Sequence, residues 1–293
     1  MLSIFTIPKT SAGHVELIQT NAVESWRRLR GENEIILFSD DPRCTQVAAQ
    51  DALRHVSEVA QNEHGTPLIS DVFACAQRIA RHDILCFVNT DIILLDDFPA
   101  AVATVAAARE RFLMVGRRTN LEITERLDFA SNWHAALRRR AEAEGDLQSW
   151  QSSDYFVFRR NVFADIPPFA IGRTSWDNWL MYKARQSGTA LIDATTAVCA
   201  VHQNHHYGHL VGGEVEAWKG DEARRNFELA GGRRQIYTVY DANFILKADR
   251  LVSTFWLRYW PRHARTIWDR AKWAWLADHP RVHRFLRRLR GKT

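Results

Sequence analysis

The sequence predicts an α/β fold, with a mostly parallel β-sheet flanked by helices and a helical C-terminal tail. In the first hundred residues, short apolar runs alternate four times with longer segments of helical periodicity, which is typical of parallel strands joined by crossover helices. The run at residues 84–88 is continuously apolar, as expected for a strand buried on both faces. Hydrophobic content of 46% and charged content of 25% are ordinary for a globular protein of 293 residues.

The elements follow from local patterns along the chain. Strands are predicted at residues 2–7, 34–38, 56–59, 84–88, 112–116, 155–159, 190–193 and 197–202. Helices are predicted at residues 10–30, 66–81, 98–111, 120–145 and 176–186. Gly31 ends the first helix, and Pro67 stands at the start of the second, where proline is well tolerated. We expect one domain over residues 1–245 and a basic, tryptophan-rich tail over residues 246–293.

Charge is unevenly distributed between these two parts. Residues 251–293 contain eleven Lys and Arg and two Asp, a net charge of +9, whereas residues 1–250 carry −4. Five of the eleven tryptophans lie in the same segment. A basic, tryptophan-rich amphipathic segment suits an anionic membrane surface, and a helix packed on the body with its arginines in solvent is the alternative. We expect no nucleic-acid partner, because the acidic body offers no matching basic groove.

The sequence also indicates a compartment. No apolar run reaches the roughly 18 residues that span a bilayer, and the N-terminus lacks a signal-peptide pattern. The four cysteines form no CxxC pair and no zinc-type cluster, which favours buried thiols in a reducing compartment. We therefore expect a cytoplasmic protein, peripheral on the inner face of the membrane.

Polar residues follow several of the apolar runs, where open α/β sheets bind ligands. They are Thr6, Asp40, Asn89, Asp91, Asp154 and His202. Asp91 is a candidate metal ligand, because Mg²⁺ and Mn²⁺ prefer oxygen ligands and keep substrate phosphates in their coordination shell. The simpler alternative is that Asn89 and Asp91 only cap a turn.

Asp177 stands near the start of a predicted helix and is a candidate general base for an attacking hydroxyl. The helix dipole alone also favours an acid there. Trp176, its neighbour, can pack its ring on a sugar or belong to the core.

A second group of candidates comes from basic and imidazole side chains. Four histidines lie within residues 202–209, and His202, nearest the strand, is a candidate metal ligand through neutral imidazole. Lys9, Arg117 and Arg118 are candidate phosphate donors. The sequence contains no Walker loop, no GxGxxG and no GxSxG, which speaks against P-loop, dinucleotide-binding and ordinary α/β-hydrolase functions.

The order of these motifs resembles the GT-A-fold glycosyltransferases, near the family 2-like bacterial enzymes of surface polysaccharide synthesis. The resemblance covers about residues 1–245 and rests on six segments: residues 39–41, the helix from Thr66, residues 89–91, residues 153–156, residues 176–178 and residues 202–209. It implies a Rossmann-like sheet and a nucleotide-sugar donor bound with Mn²⁺ or Mg²⁺.

The resemblance also implies a role for each candidate. Asp91 and His202 would hold the metal, and Asp177 would be the catalytic base of an inverting, hexosyltransferase-like enzyme. The nucleotide-sugar contacts would be Thr6, Asp40, Asn89, Asp91, Asp154 and Trp176. Asn89 departs from the family, because it stands where the Asp-x-Asp motif has its first acid and so halves the carboxylate charge.

We therefore expect transfer of a sugar to a hydroxyl of a saccharide or lipid-linked acceptor, in surface polysaccharide or glycolipid synthesis. One alternative is a non-catalytic nucleotide-sugar-binding or scaffold relative that lost the metal chemistry. Another is a nucleotidyltransferase, which has a similar fold. Against it, Pro8, Lys9 and Thr10 follow the first strand, where a glycine-rich phosphate loop would be expected.

Overall fold

A computed structural model describes residues 1–9, 13–51, 53–205 and 218–255, together with single positions at 215, 260, 264, 268, 271, 272, 275, 279 and 282. The helices are α1 (His14–Arg27), α2 (Pro42–Gln50), α3 (Ile69–Ile79), α4 (Asp97–Ala108), α5 (Trp133–Glu144), α6 (Trp176–Gln186) and α7 (Asp221–Leu229). The strands are β1 (Ser3–Thr6), β2 (Glu34–Phe38), β3 (Arg54–Val56), β4 (Ile84–Val88), β5 (Ile92–Leu94), β6 (Phe112–Val115), β7 (Arg118–Leu121), β8 (Asp146–Leu147), β9 (Tyr155–Arg159), β10 (Ala190–Asp193), β11 (Ala200–Gln203), β12 (Phe244–Lys247) and β13 (Arg250–Ser253).

The main sheet has nine strands in the order β13-β12-β10-β6-β9-β4-β1-β2-β3. Seven strands run in one direction, and β9 and β13 are antiparallel to their neighbours. This arrangement confirms the α/β class and the mostly parallel sheet that the sequence predicts. Because β9 is reversed, its amino end meets the carboxyl ends of β1, β2 and β4 at one edge of the sheet.

Both faces of the sheet are covered, as the continuous apolar runs predict. Ile4 of β1 packs on the side of α1 and α4, whereas its neighbour Phe5 packs on the side of α3 and α6. Phe5 lies edge-on to Phe73 and Phe87, with ring centroids 5.0 and 5.5 Å apart. Apolar packing on both faces therefore fixes the strand ends that carry the polar candidates.

A second, four-stranded sheet has the order β5-β11-β7-β8. Strand β11 pairs antiparallel with β5, which places His202 opposite Ile92, one residue after Asp91. It also pairs parallel with β7, opposite Asn120. This small sheet is what brings a late part of the chain next to the polar end of β4.

Several expected elements differ from the structure. The helix expected over residues 120–145 is wrong in its first half, because Arg118–Leu121 forms β7 and the helix spans only Trp133–Glu144. The strand expected at residues 56–59 lies at Arg54–Val56. Strand β7 is mostly polar and shows no alternation of apolar and polar residues. The sequence pattern therefore did not indicate a strand in this segment.

The expected domain boundary at residue 245 falls inside a strand. Strand β12 pairs with β10, and β13 returns beside β12, so the main sheet continues to Ser253. Most of residues 256–293 lie outside the described residues, and so does most of the predicted tail. Among the described helices, none is both long enough and apolar enough to cross a bilayer.

Candidate active site

The candidate site lies at the edge where β1, β2 and β4 end and β9 begins. Asn89 and Asp91 follow β4, and Asp154 immediately precedes β9. The backbone N–H of Asn89 donates to the carbonyl of Asp154 at 3.0 Å, which joins the two strand ends. The antiparallel direction of β9 thus explains how Asp154 reaches an edge made by the ends of parallel strands.

Asp91 and two histidines form a compact group of potential ligands. The Oδ2 atom of Asp91 is 3.0 Å from His205 Nε2 and 3.9 Å from His202 Nε2. One ligand atom from each of the three residues lies within 4.8 Å of the others, a spacing suited to a shared cation. Asp91 and His202 are buried, with 6% and 7% of their surface exposed.

The ionisation of this group suits a cation. Burial lowers the pKa of His202 to about 4, and Arg118 acts in the same direction, so the imidazole is neutral near pH 7 and its lone pair is available. Burial alone would raise the pKa of Asp91, but Lys9 and the hydrogen bond with His205 outweigh it and hold that pKa well below its usual range. Asp91 Oδ1 is buried and has no hydrogen-bond partner among the described residues, which leaves one carboxylate oxygen for a metal ion.

Asn89 has a structural partner that explains why it is an amide. Its Nδ2 donates to Asp154 Oδ1 at 2.7 Å, and Arg118 donates to Asp154 Oδ2 at 2.8 Å. Both oxygens of Asp154 are therefore engaged by donors. An acid at position 89 would place a second carboxylate against Asp154 and lose this donor.

We predict that Asn89→Asp lowers the free energy of unfolding at pH 8 by about 1–3 kcal/mol, the cost of a lost, partly buried hydrogen bond and a like-charge contact. The adjacent carboxylate raises the pKa of the new acid, so the loss should grow as pH rises through that raised pKa and shrink at pH 5. Urea unfolding at both pH values measures this, with Asn89→Ala as the uncharged control. Equal stability of Asn89→Asp and wild type at pH 8 would contradict it.

Asp177 lies in the first turn of α6, two residues after Ser175. The backbone of Ser175 is in the left-handed region, with φ of 86°. Such a conformation costs a non-glycine residue about 1–3 kcal/mol and is common at functional sites. Asp177 is half-buried, and its Oδ1 is fully buried, with no hydrogen-bond partner within the described ranges. Burial raises the pKa of Asp177 to about 7 and the Asp154 carboxylate adds to the shift, while the backbone N–H of Asn178 opposes it. A carboxylate with this pKa is suited to proton transfer near neutral pH.

Helix α7 holds the segment that leads to Asp177. The side chain of Asn226, 1% exposed, accepts from the backbone N–H of Ala170 and donates to its carbonyl, both at 2.9 Å, and donates to Thr174 at 3.2 Å. Arg173 donates to Glu222 Oε2 at 3.0 Å. These bonds fix the backbone before Ser175, so α7 and the Asp177 turn form one unit.

The structure assigns other contacts to the remaining candidates. The Thr6 hydroxyl is fully buried and donates to the carbonyl of Val88, which ties β1 to β4. Asp40 is exposed after β2 and accepts from Gln61 Nε2 at 2.9 Å. Arg117 donates to the carbonyls of residues 147 and 148 and stacks on Trp150, so it does not face the group around Asp91.

Trp176 is a correction to the expected donor contacts. Trp176 is 5% exposed, and its ring centroid lies 5.3 Å from those of both Phe87 and Phe156. This ring belongs to the core, the alternative that the sequence left open, and has no face available for a sugar. The sequence alone does not show whether a tryptophan in the first turn of a helix points into the core or towards a ligand.

The sequence did not predict that His205 and Lys9 lie beside Asp91. His205 belongs to the four-histidine loop, in which spacing alone does not single it out; it follows β11 by two residues and lies beside Asp91, and His206 and His209 lie outside the described residues. Lys9 was expected only as a general phosphate donor, and its Nζ lies 3.5 Å from Asp91 Oδ2. The approach of β1 and β4 as neighbours accounts for this contact.

Comparisons with known proteins give structural likenesses only. No protein-family model matches the chain, and no curated protein matches it either. Solved structures that resemble it include TarS 1–349 of S. aureus, at 12% identity and a TM-score of 0.40, and GalNAc-T7 with UDP, GalNAc and Mn²⁺, at 13% and 0.48. These alignments cover 69% and 78% of this chain, but only 57% and 48% of the other chains.

A third similar structure is the glucosyl-3-phosphoglycerate synthase from Mycobacterium tuberculosis in complex with Mn²⁺, UDP and phosphoglyceric acid. It is 17% identical, with a TM-score of 0.45, and 79% of each chain is covered.

Proposed function

We propose that this protein transfers a sugar from a nucleotide-sugar donor to a hydroxyl of an acceptor, with inversion at the anomeric carbon. The observation that carries the proposal is the meeting of two groups at one sheet edge. One is the group Asp91, His202 and His205, whose ligand atoms are spaced for a shared cation, and the other is Asp177, a carboxylate with a pKa of about 7. The ion pair Arg118–Asp154 lies close to both groups, since Asp154 raises and Arg118 lowers the pKa values of His202 and Asp177 alike.

The residues around Asp91 fit a nucleotide diphosphate with a divalent cation. Asp91, His202 and His205 would hold Mn²⁺ or Mg²⁺, and in the part of the chain that the structure describes Asp91 Oδ1 has no hydrogen-bond partner. A bound dication supplies positive charge that stabilises the departing diphosphate. Lys9 and Arg118 add fixed positive charge at the same edge.

Asp177 supplies the second chemical function. As a carboxylate, it would accept the proton of the acceptor hydroxyl as the oxygen attacks the anomeric carbon. Its raised pKa makes it a stronger base than an ordinary aspartate, and at pH 8 it is still mostly ionised. Helix α7 keeps the turn that carries Asp177 in place, as described above.

A thermal-shift screen of nucleotide sugars, with and without Mn²⁺, tests donor binding, because a ligand that binds only the native state raises its melting temperature. We expect one class of nucleotide sugar to raise it, and more so with Mn²⁺. Product formation with saccharide and lipid-linked acceptors then tests catalysis. A screen without any shift would contradict the proposed donor site.

The second candidate function is a non-catalytic protein that binds a nucleotide sugar. The observation in its favour is Asn89, which has taken the place of an acid and is bonded to Asp154. The same screen separates the two functions, since a scaffold protein would show a thermal shift but neither hydrolysis nor transfer with any acceptor.

We further propose that residues 256–293 hold the protein on the cytoplasmic face of a membrane, close to a lipid-linked acceptor of polysaccharide or glycolipid synthesis. Trp260, Trp268 and Trp275 are helical positions with 55%, 69% and 51% of their surface exposed. These three tryptophans are eight and seven positions apart, a spacing that places side chains on one face of a helix. Exposed tryptophans beside a net basic sequence suit the interface of an anionic bilayer.

We predict that deletion of residues 256–293 lowers the affinity for anionic vesicles at least about tenfold, because each basic group contributes roughly 1 kcal/mol near such a surface. The deletion begins after β13, so the main sheet stays complete. Co-sedimentation with phosphatidylserine-containing and neutral vesicles, at low and high salt, measures the effect. Replacing Trp260, Trp268 and Trp275 with Ser keeps the charge and tests the apolar contribution. Equal vesicle binding by the truncated protein would rule out this role.

A further inference from the structure

Lys9 is a loop residue whose backbone is fixed by hydrogen bonds. Its N–H donates to Gln19 Oε1 at 2.8 Å, and Gln19 Nε2 donates back to the Lys9 carbonyl at 3.1 Å. Gln19 is buried on α1. Position 9 therefore has a defined place relative to β1 and β4, although it lies after the end of a strand.

The ammonium of Lys9 shares its partners with the proposed metal site. Its Nζ lies 3.5 Å from Asp91 Oδ2 and 3.4 Å from His205 Nε2. The same oxygen is 3.0 Å from His205 Nε2. A dication held by Asp91 and His205 would therefore have to share Asp91 with Lys9 or displace it.

We propose that Lys9 is an internal cation that competes with the metal for Asp91 and then moves to the diphosphate, so that metal and diphosphate bind cooperatively. The inference rests on the proposed function, since it assumes that this group binds both ligands. In this cycle, metal binding separates Lys9 from Asp91, and the released ammonium becomes a donor to a phosphate oxygen. The diphosphate in turn removes the competitor of the metal.

The charges near Asp91 are consistent with this exchange. Asp91 and Lys9 form a neutral pair, and Asn89 contributes no charge of its own. Asp154 is already paired with Arg118 at 2.8 Å. A dication added to two neutral pairs leaves the site doubly positive, which matches the doubly negative diphosphate of a nucleotide sugar. A second acid at position 89 would remove one of these charges.

Cooperativity of this kind is reciprocal and can be measured at equilibrium. Lys9 is 32% exposed at its side chain, so Lys9→Met should leave the fold unchanged while removing the ammonium. Lys9→Arg retains the charge, and Lys219→Met removes an exposed lysine on the helical segment before α7 as the matched control. The probes are Mn²⁺ alone, inorganic pyrophosphate alone and the two together, followed by isothermal titration calorimetry.

We expect Lys9→Met to bind Mn²⁺ alone about fivefold to tenfold more tightly than wild type, because the competing cation is gone. The factor by which pyrophosphate tightens Mn²⁺ binding should fall by a similar amount. Lys9→Arg and Lys219→Met should behave as wild type. Unchanged or weaker Mn²⁺ binding by Lys9→Met would overturn the competition while leaving the metal site itself intact. Failure of every variant, wild type included, to bind Mn²⁺ would overturn both the metal site and this inference.

Discussion

Replacing Asp177 with Asn is expected to lower kcat about 10²–10⁴-fold, the usual contribution of a positioned general base. The affinity for the nucleotide-sugar donor should change by less than about threefold, because the lost interaction is made in the transition state and not with the donor. Steady-state kinetics with saturating acceptor, combined with donor titration calorimetry, separates these two quantities. Asp165→Asn, at an exposed position before α6, is the matched control.

The wild-type pH profile gives an independent test of the same residue. Burial raises the pKa of Asp177 to about 7, and only the ionised carboxylate accepts a proton. The logarithm of kcat/KM should therefore rise with pH up to about 7 and level off above it. An aspartate with an ordinary pKa would give a flat profile between pH 5 and 8. A flat profile, or near-normal turnover of Asp177→Asn, would exclude Asp177 as the base.

The raised pKa also has a consequence for stability. Between the ordinary aspartate pKa of 3.8 and about 7, the unfolded chain loses the proton of Asp177 while the folded protein keeps it. Stability from this group therefore falls as pH rises through this window and is constant above it. The full shift corresponds to about 4 kcal/mol, and we expect on the order of 1–2 kcal/mol for a half-buried side chain. Asp177→Asn should be more stable than wild type at pH 8 by this amount, and the difference should vanish below pH 3.8.

Much of the fold could be predicted because a continuous run of apolar residues indicates a buried strand. The strand at Ile84–Val88 was predicted with its observed bounds, since five apolar residues between polar ones suit few other structures. The direction of β9 could not be predicted, because a buried strand has the same composition whether parallel or antiparallel. The second sheet could not be predicted either. Its strands Ile92–Leu94 and Ala200–Gln203 lie far apart in the sequence, and local patterns do not show that they pair.

The site was predicted at the level of residue types more than of contacts. Asp91, Asp154 and His202 could be predicted because polar residues after buried strands meet at one edge, and Asp177 because it stands at the start of a helix. The Lys9–Asp91 and Asn89–Asp154 contacts depend on strand order and on side-chain conformations. Sequence spacing does not contain that information, and so the reason for an amide at position 89 emerged only from the structure.

Replacing Asp91 with Asn should abolish the Mn²⁺-dependent part of donor binding. Loss of residues that merely orient a ligand typically costs a metal site 10–100-fold in affinity, so loss of a direct carboxylate ligand should weaken Mn²⁺ binding by at least about 100-fold. The neutral amide also removes the partner of Lys9. We expect the thermal shift caused by Mn²⁺ to disappear, and turnover to fall with it.

Asp83→Asn is the control for this prediction, because Asp83 is an exposed acid just before the start of β4, at the end opposite to Asp91. His205→Ala provides a second test that leaves the carboxylate in place, and it should weaken Mn²⁺ binding less than Asp91→Asn. Donor binding without metal distinguishes the two halves of the site. If Asp91→Asn loses only the increase in donor affinity that Mn²⁺ causes, Lys9 and Arg118 still bind the diphosphate. The cation then strengthens a site that binds the anion without it. If Asp91→Asn retains the full effect of Mn²⁺, the cation binds elsewhere, and Asp91 serves only as the counter-ion of Lys9.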